Sequence, residues 1–295
     1  MKNGPPLPHG STGVVHRLND WWRRVTSPVR LLPDFVIIGA QRGGTTSLYA
    51  YLTANPCIPP ASRKEVHFFD LYFKKGLQWY RSHFPIALLR GYTERIRGER
   101  LTAGEATPAY LFHPAVPVRM ARALPQVKLI AMLRNPVDRA YSHYWQKVAL
   151  GRETLPFEEV IANEPPDMWH EWKRAVEGSS REREAVRHYS RWLRRHSYLS
   201  RGVYVDQLQE WAAVFSRDQM LVLCSEDFFS DPAAVLGKVC EFIDVPHCRL
   251  QEYKKHRQGQ YPEMAPATRQ RLIDHYREHN ERLYAFLGTR FPWDR

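Results

Sequence analysis

Phe35-Val36-Ile37-Ile38-Gly39-Ala40-Gln41-Arg42-Gly43-Gly44-Thr45-Thr46 decides the fold. Its first four residues are apolar without alternation, the pattern of a strand buried on both faces, and such strands belong to parallel sheets covered by helices. Gly39, Gly43 and Gly44 let the backbone turn sharply, with consecutive N–H groups facing one concavity. A helix is expected from Thr45 to Leu52, and its N-terminus adds partial positive charge at the same place. Arg42 can grip an oxyanion there, and Thr45 and Thr46 can donate hydroxyl hydrogen bonds.

The rhythm repeats downstream. Lys128 to Leu133 reads as a second buried strand, followed by a helical pattern of Val137, Tyr141, Tyr144 and Val148. Met220-Leu221-Val222-Leu223 reads as a third, followed by a helix beginning near Asp231-Pro232, where Pro suits a first turn. No repeat recurs at a fixed period. The expectation is one α/β domain over residues 34–295, a central parallel sheet flanked by helices with a P-loop-like turn after the first strand. Arg134 closes the second strand and Ser142 lies on the helix after it. Ligands of open α/β sheets bind beyond the carboxyl ends of the strands, so these two residues should share a crevice with the glycine turn. An Arg fork and a Ser hydroxyl suit a second phosphate.

The turn departs from G-x-x-x-x-G-K-[ST] because Thr45 stands where the Lys belongs, and the second strand ends in Leu133-Arg134 rather than in an acid able to hold magnesium. A metal-dependent nucleotide kinase therefore loses its usual triphosphate partners. It stays as an alternative, beside a non-catalytic nucleic-acid-binding protein suggested by charge alone. The 295 residues carry 43 Lys plus Arg against 31 Asp plus Glu, a formal net charge of +12, so partners are expected to be anionic.

A hydrophobic fraction of 43% rules out a disordered chain. No apolar run reaches the roughly 18 residues of a membrane span, and residues 1–30 lack a signal-peptide core. Cys57, Cys224, Cys240 and Cys248 are scattered, and no Asn-x-Ser/Thr acceptor occurs. These features read as a soluble, cytoplasmic protein.

Outside the core rhythm, residues 1–12 hold Gly4, Pro5, Pro6, Pro8 and Gly10 and are expected to be disordered. Residues 14–25 set Val14, Val15, Leu18, Trp21, Trp22 and Val25 at helical spacing opposite Arg17, Arg23 and Arg24. This basic amphipathic helix either docks on its own domain, the favoured reading, or makes peripheral contact with an anionic membrane. Residues 163–197 carry charges of both signs with Trp169, Trp172 and Trp192. They read either as a solvated helical pair braced by Glu177 and Arg181 or as a cover over an acceptor site.

The ordered set PDFVIIGAQRGGTTSLYAYL, KEVHFFD, GEATPAYLF, LRNPVDRAYSHYW and a late YPEM resembles sulfotransferases that use 3′-phosphoadenosine 5′-phosphosulfate (PAPS), most of all the heparan sulfate 3-O- and N-sulfotransferases and bacterial relatives. The resemblance runs from about residue 34 to the end. It implies that Arg42, Gly43, Gly44, Thr45 and Thr46 hold the 5′-phosphosulfate and that Arg134 and Ser142 hold the 3′-phosphate. It implies Glu65 as general base and Lys255 and Arg257, within Lys254 to Gln260, as a loop closing over the 3′-phosphate. Two departures stand out: Arg42 replaces the usual Lys, and Ala106 replaces a second Lys of the heparan enzymes.

The chemistry implied is metal-free, in-line sulfuryl transfer from PAPS as co-substrate to a hydroxyl acceptor, anionic or sugar-containing, without nucleic acid as partner. An ordinary Glu titrates near ~4.3, so Glu65 is ionised at neutral pH and needs only position, while Arg42 and the loop N–H groups would stabilise charge on the bridging oxygen. His67 is the rival base, because an extended segment would point Glu65 and His67 to one face. His275-Tyr276-Arg277-Glu278-His279 matches H-x-x-E-H, but a helix burying Leu272, Tyr276, Leu283 and Leu287 leaves those histidines near its wet face. No metal site is expected.

Overall fold

The computed structural model describes residues 11–178, 196–246, 250–254 and 261–293. Strands β1 (Phe35–Gly39), β2 (Gly104–Ala106), β3 (Lys128–Leu133) and β4 (Met220–Cys224) form one all-parallel sheet in the order β2-β1-β3-β4. In chain order the α-helices of the described residues are α1 (Ser11–Val25), α2 (Thr45–Thr53), α3 (Gly76–Arg81), α4 (Ala87–Arg97), α5 (Val116–Ala123) and α6 (Pro136–Ala149). There follow α7 (Phe157–Ala162), α8 (Met168–Glu177), α9 (Tyr204–Ala212), α10 (Ser225–Ser230), α11 (Pro232–Phe242) and α12 (Pro266–Leu287).

Every residue of β1 is buried, as its unbroken apolar run predicts. Phe35 and Ile37 pack with Leu48 and Leu52 of α2, Ile130 and Met132 of β3, and Val235 and Val239 of α11. Val36 and Ile38 face the opposite layer, with Leu129 and Ala131, Met120 of α5, Leu208 and Trp211 of α9, and Leu283 of α12. One alternating strand thus feeds two cores, and each fully buried aliphatic side chain contributes about 1.5–3 kcal/mol.

The helices behind β3 and β4 start where the sequence says. The Asn135 side chain accepts from Val137 N at 3.0 Å ahead of Pro136, and Asp231 accepts from Ala234 N at 3.0 Å ahead of Pro232. Because the chain runs from β1 outward to β2 and then crosses to β3, the order reverses between β1 and β3. The crevice beyond their carboxyl ends is the expected ligand site.

Sequence periodicity missed β2, which is three residues long and carries a carboxylate at its centre. Glu105 is fully buried there, accepting from Tyr80 Oη at 2.7 Å, Thr107 Oγ1 at 2.6 Å and Tyr110 Oη at 3.2 Å. In α8, Trp169 and Trp172 are buried against Phe112, and Trp169 Nε1 donates to Phe112 O at 2.9 Å. Trp192 and Arg181 lie outside the described residues.

The favoured reading of α1 is overturned. Leu18, Trp21, Trp22 and Val25 are each more than half exposed, so the helix does not seal its apolar side against the domain.

Candidate active site

The glycine turn is shaped by backbone contact on both sides. A Cβ on Gly43 would lie 2.4 Å from Met132 O and 3.0 Å from Ala40 O, and Gly44 heads α2 with φ of 89°. Ser225 Oγ donates to Gly43 O at 2.7 Å and fixes the turn to the end of β4. Arg42 Nε donates to Ser142 Oγ at 3.0 Å, across 100 residues of sequence, and Arg134 Nη1 comes within 3.5 Å of Arg42 O. The structure therefore brings Arg42, Gly43, Gly44, Thr45, Thr46, Arg134 and Ser142 into one crevice, as the strand order requires. Lys255 and Arg257 lie outside the described residues.

Two further groups reach this crevice. Lys64 Nζ donates to Thr46 Oγ1 at 2.5 Å and stands 3.6 Å from Glu65 Oε1. Three side-chain cations and a helix N-terminus thus surround one concavity, which fits a ligand bearing several phosphate oxygens. Lys64 escaped the sequence reading because a lone Lys beside a Glu reads equally as a solvated pair.

The segment carrying Glu65 is not extended, so the condition under which His67 rivals it by strand alternation is not met. Glu65 has φ of 58° and His67 φ of 55°, both left-handed, and a single wide π-turn begins at Phe68. The two side chains meet nonetheless, with His67 Nε2 at 3.4 Å from Glu65 Oε2. On the other ring nitrogen, His67 Nδ1 lies 2.8 Å from Oδ2 of buried Asp70. Burial by itself lowers the His67 pKa, but the hydrogen bonds to Asp70 and then Glu65 outweigh it and raise it to about 9. A pKa of about 9 favours the protonated imidazole at neutral pH, a form with no lone pair to accept a proton, which weighs against His67 as base. Asp70 was missed, although its spacing of three residues after His67 in KEVHFFD is the available signal.

Backbone bonds hold this turn against the sheet. Glu65 N donates to Ala106 O at 3.2 Å, and His67 N to Thr107 Oγ1 at 3.4 Å. Phe68 N donates to Tyr110 Oη at 2.8 Å. Thr107 and Tyr110 in turn donate to Glu105, whose pKa burial raises against the opposing pull of those hydroxyls. The buried carboxylate of β2 therefore orders the hydroxyls that order the turn carrying Glu65 and His67.

The H-x-x-E-H segment lies on α12, which buries Leu272, Tyr276 and Leu283, with Leu287 partly covered. The His275 and His279 rings stand 5.7 Å apart, and burial lowers the pKa of both. Among the described residues no group of three His, Cys, Asp or Glu is arranged to hold a metal ion.

Comparison with known proteins agrees with this geometry. The family model described as a sulfotransferase domain matches residues 32–285. The chain is 27% identical to membrane-associated sulfotransferase kil1 of Dictyostelium discoideum, over 89% of this chain and 66% of that protein. It is 28% identical to heparan sulfate glucosamine 3-O-sulfotransferase 3A1 of Mus musculus, over 89% of this chain and 65% of that protein. It thus spans slightly less than two thirds of these relatives. The crystal structure of a sulfotransferase from Alicyclobacillus acidocaldarius is similar over 90% of this chain and 100% of that chain, with 30% identity and a TM-score of 0.65. Four parallel strands in the order β2-β1-β3-β4, a glycine turn joined to Arg134 and Ser142, and a match over most of the length lead to one conclusion: the chain belongs to the sulfotransferase family.

Proposed function

We propose that this protein transfers a sulfuryl group from 3′-phosphoadenosine 5′-phosphosulfate to a hydroxyl of a sugar-bearing or small-molecule acceptor, in line and without a metal ion. The observation that carries the reading is a continuous run of contacts. Arg134 approaches Arg42, which bonds Ser142, and Lys64 joins Thr46 of the same turn to Glu65. Base and anion cradle are thereby neighbours.

The co-substrate supplies an activated sulfuryl group on a phosphate leaving group. Arg42, Lys64 and the N–H groups opening α2 would hold the 5′ side and stabilise the negative charge that grows on the bridging oxygen. Arg134 and Ser142 would hold the 3′-phosphate, with Lys255 and Arg257 closing from the late loop. Glu65 takes the acceptor proton. The His67 cation, fixed by Asp70, keeps that carboxylate aimed. The chain's own cations carry the compensating charge, which supports a transfer that does not draw on a divalent ion. That a relative is a heparan sulfate 3-O-sulfotransferase, together with the net charge of +12, supports an anionic or sugar-bearing acceptor here.

Labelled PAPS offered with a panel of hydroxylated acceptors, with and without chelator, tests the reading. Transfer is expected to survive chelator. Glu65→Gln is expected to lower turnover by ~10²-fold or more while leaving calorimetric affinity for adenosine 3′,5′-bisphosphate nearly intact. A fully active Glu65→Gln enzyme, or no heat with the bisphosphate, overturns it.

A further inference from the structure

Helix α1 and helix α4 leave apolar stripes in water on either side of one backbone junction. On α1, Leu18, Trp21, Trp22 and Val25 fall at i, i+3, i+4 and i+7, and all are more than half exposed. On α4, Leu88, Tyr92 and Ile96 fall at i, i+4 and i+8 with Leu89 beside them, and Leu88 is 79% exposed. Exposed apolar residues scattered singly need no explanation, but two ordered stripes do.

The junction joins them. Arg30 pairs with Ile86 in an antiparallel bridge, Leu31 N donates to Pro85 O at 2.8 Å, and Arg30 Nη1 donates to Phe84 O at 2.8 Å. In that antiparallel register, stepping back from Arg30 to exposed Val29 means stepping forward from Ile86 into the first turn of α4. The segment that follows α1 is therefore held beside the start of α4, with exposed Val29 next to the junction.

We propose that α1 and α4 form one docking face for an anionic lipid surface. Charge selects this occupant. Arg23 and Arg24 end α1, Arg95 is exposed on α4, and the whole chain carries +12. A second copy would bring the same positive charge to the contact, whereas phosphate headgroups neutralise it. Adjacent Trp21 and Trp22 suit the headgroup level of a bilayer, where amphipathic rings concentrate. Among the described residues no helix is long and apolar enough to cross a membrane, so the contact is interfacial, with the apolar face sunk ~5–10 Å. One short helix binds such a surface weakly, and two faces held by a common junction bind as a unit.

Co-sedimentation of the full chain with phosphatidylcholine vesicles, and with phosphatidylcholine–phosphatidylglycerol vesicles, reads the proposal directly. Binding is expected to the anionic vesicles and to fall with salt. Trp21→Glu with Trp22→Glu, and separately Leu88→Glu with Tyr92→Glu, are each expected to lower vesicle partitioning by about tenfold or more. Circular dichroism and turnover with a soluble acceptor are expected to stay unchanged in both. Absence of binding at low salt, or binding that the α4 pair does not alter, overturns the joint face. Concentration-dependent dimers that the same substitutions dissolve, with no vesicle binding, assign the face to a second copy and likewise overturn it.

Discussion

Asp70→Asn removes the carboxylate that faces Nδ1 of His67. The pair is close, at 2.8 Å, and Asp70 is buried, so water screens little of the interaction. In the intact protein burial pulls the imidazole pKa down, while the two carboxylates push it up from 6.5 to about 9, Asp70 contributing more than Glu65. At ~1.36 kcal/mol per pH unit, that rise corresponds to about 3 kcal/mol of preference for the protonated ring in the folded state. The folded protein binds this proton more tightly than the unfolded chain does. The stabilisation is therefore complete below about pH 6.5 and is lost as pH climbs through about 9. With Asn at 70 only Glu65 opposes burial, and the ring is expected to titrate near or below its ordinary value. Denaturant titrations at pH ~6 and ~10 should show a fall in stability for the parent that exceeds that of Asp70→Asn by up to about 3 kcal/mol. Side-chain NMR of the imidazole supplies the titration itself. A parent His67 that titrates near 6.5, or a variant with an undiminished pH dependence, refutes the assignment of His67 as a cation.

Gly43→Ala must push the turn off the carbonyls of Met132 and Ala40, and its affinity for adenosine 3′,5′-bisphosphate, read by calorimetry, is expected to fall by at least ~10-fold. Ser142→Ala releases Arg42 Nε, and loss of one charge-assisted hydrogen bond, ~1.5–3 kcal/mol, is expected to weaken the same ligand by roughly 10- to 100-fold. Glu65→Asn and Glu65→Gln both remove the carboxylate proposed as base, but Asn tolerates the left-handed φ of 58° better. Asn is therefore expected to be the more stable variant by ~0.5–1 kcal/mol in denaturant melts, with turnover lowered by ~10²-fold or more in both.

The parts of this molecule visible in the sequence are those whose physics is local. β1 and β3 declare themselves because a strand buried on both faces needs an apolar residue at nearly every position, and β4 by a like apolar run although its first three residues are only half-buried at the sheet edge. That Arg134 and Ser142 share a crevice with the glycine turn was also legible, since adjacent parallel strands aim their carboxyl ends at one crevice, whereas the direct bond from Arg42 to Ser142 was not. β2 was not legible, because Glu105 is made tolerable in the core by hydroxyls from Tyr80, Thr107 and Tyr110, two of which follow it closely while the third is brought by the fold. Asp70 and Lys64 stood in plain view beside Glu65 and His67, yet charge spacing alone does not separate a working carboxylate from a solvated one. Amphipathicity predicted α1 as a helix and said nothing of what covers it, which is why docking on the domain looked the better reading.

The backbone of the site explains why its chemistry is held so firmly. Among the described residues, Arg42, Glu65, His67 and Asp244 are the non-glycine positions with positive φ, and three of the four belong to the crevice. Each such residue costs on the order of 1 kcal/mol, a cost that persists only where neighbours fix the conformation. Those neighbours are identifiable. Arg42 is pinned by Ser142, Glu65 by Ala106 O, and His67 by Thr107 and by its two carboxylates. Glu105 stands behind Thr107, so the strain in the turn is opposed from inside the sheet rather than from the solvent side. A left-handed step at both Glu65 and His67 also resolves a geometric difficulty. An extended segment would keep the two side chains on one face but two residues apart along the strand, whereas the turn brings Glu65 Oε2 to 3.4 Å from His67 Nε2. The same residues that make the segment locally unfavourable make it a site.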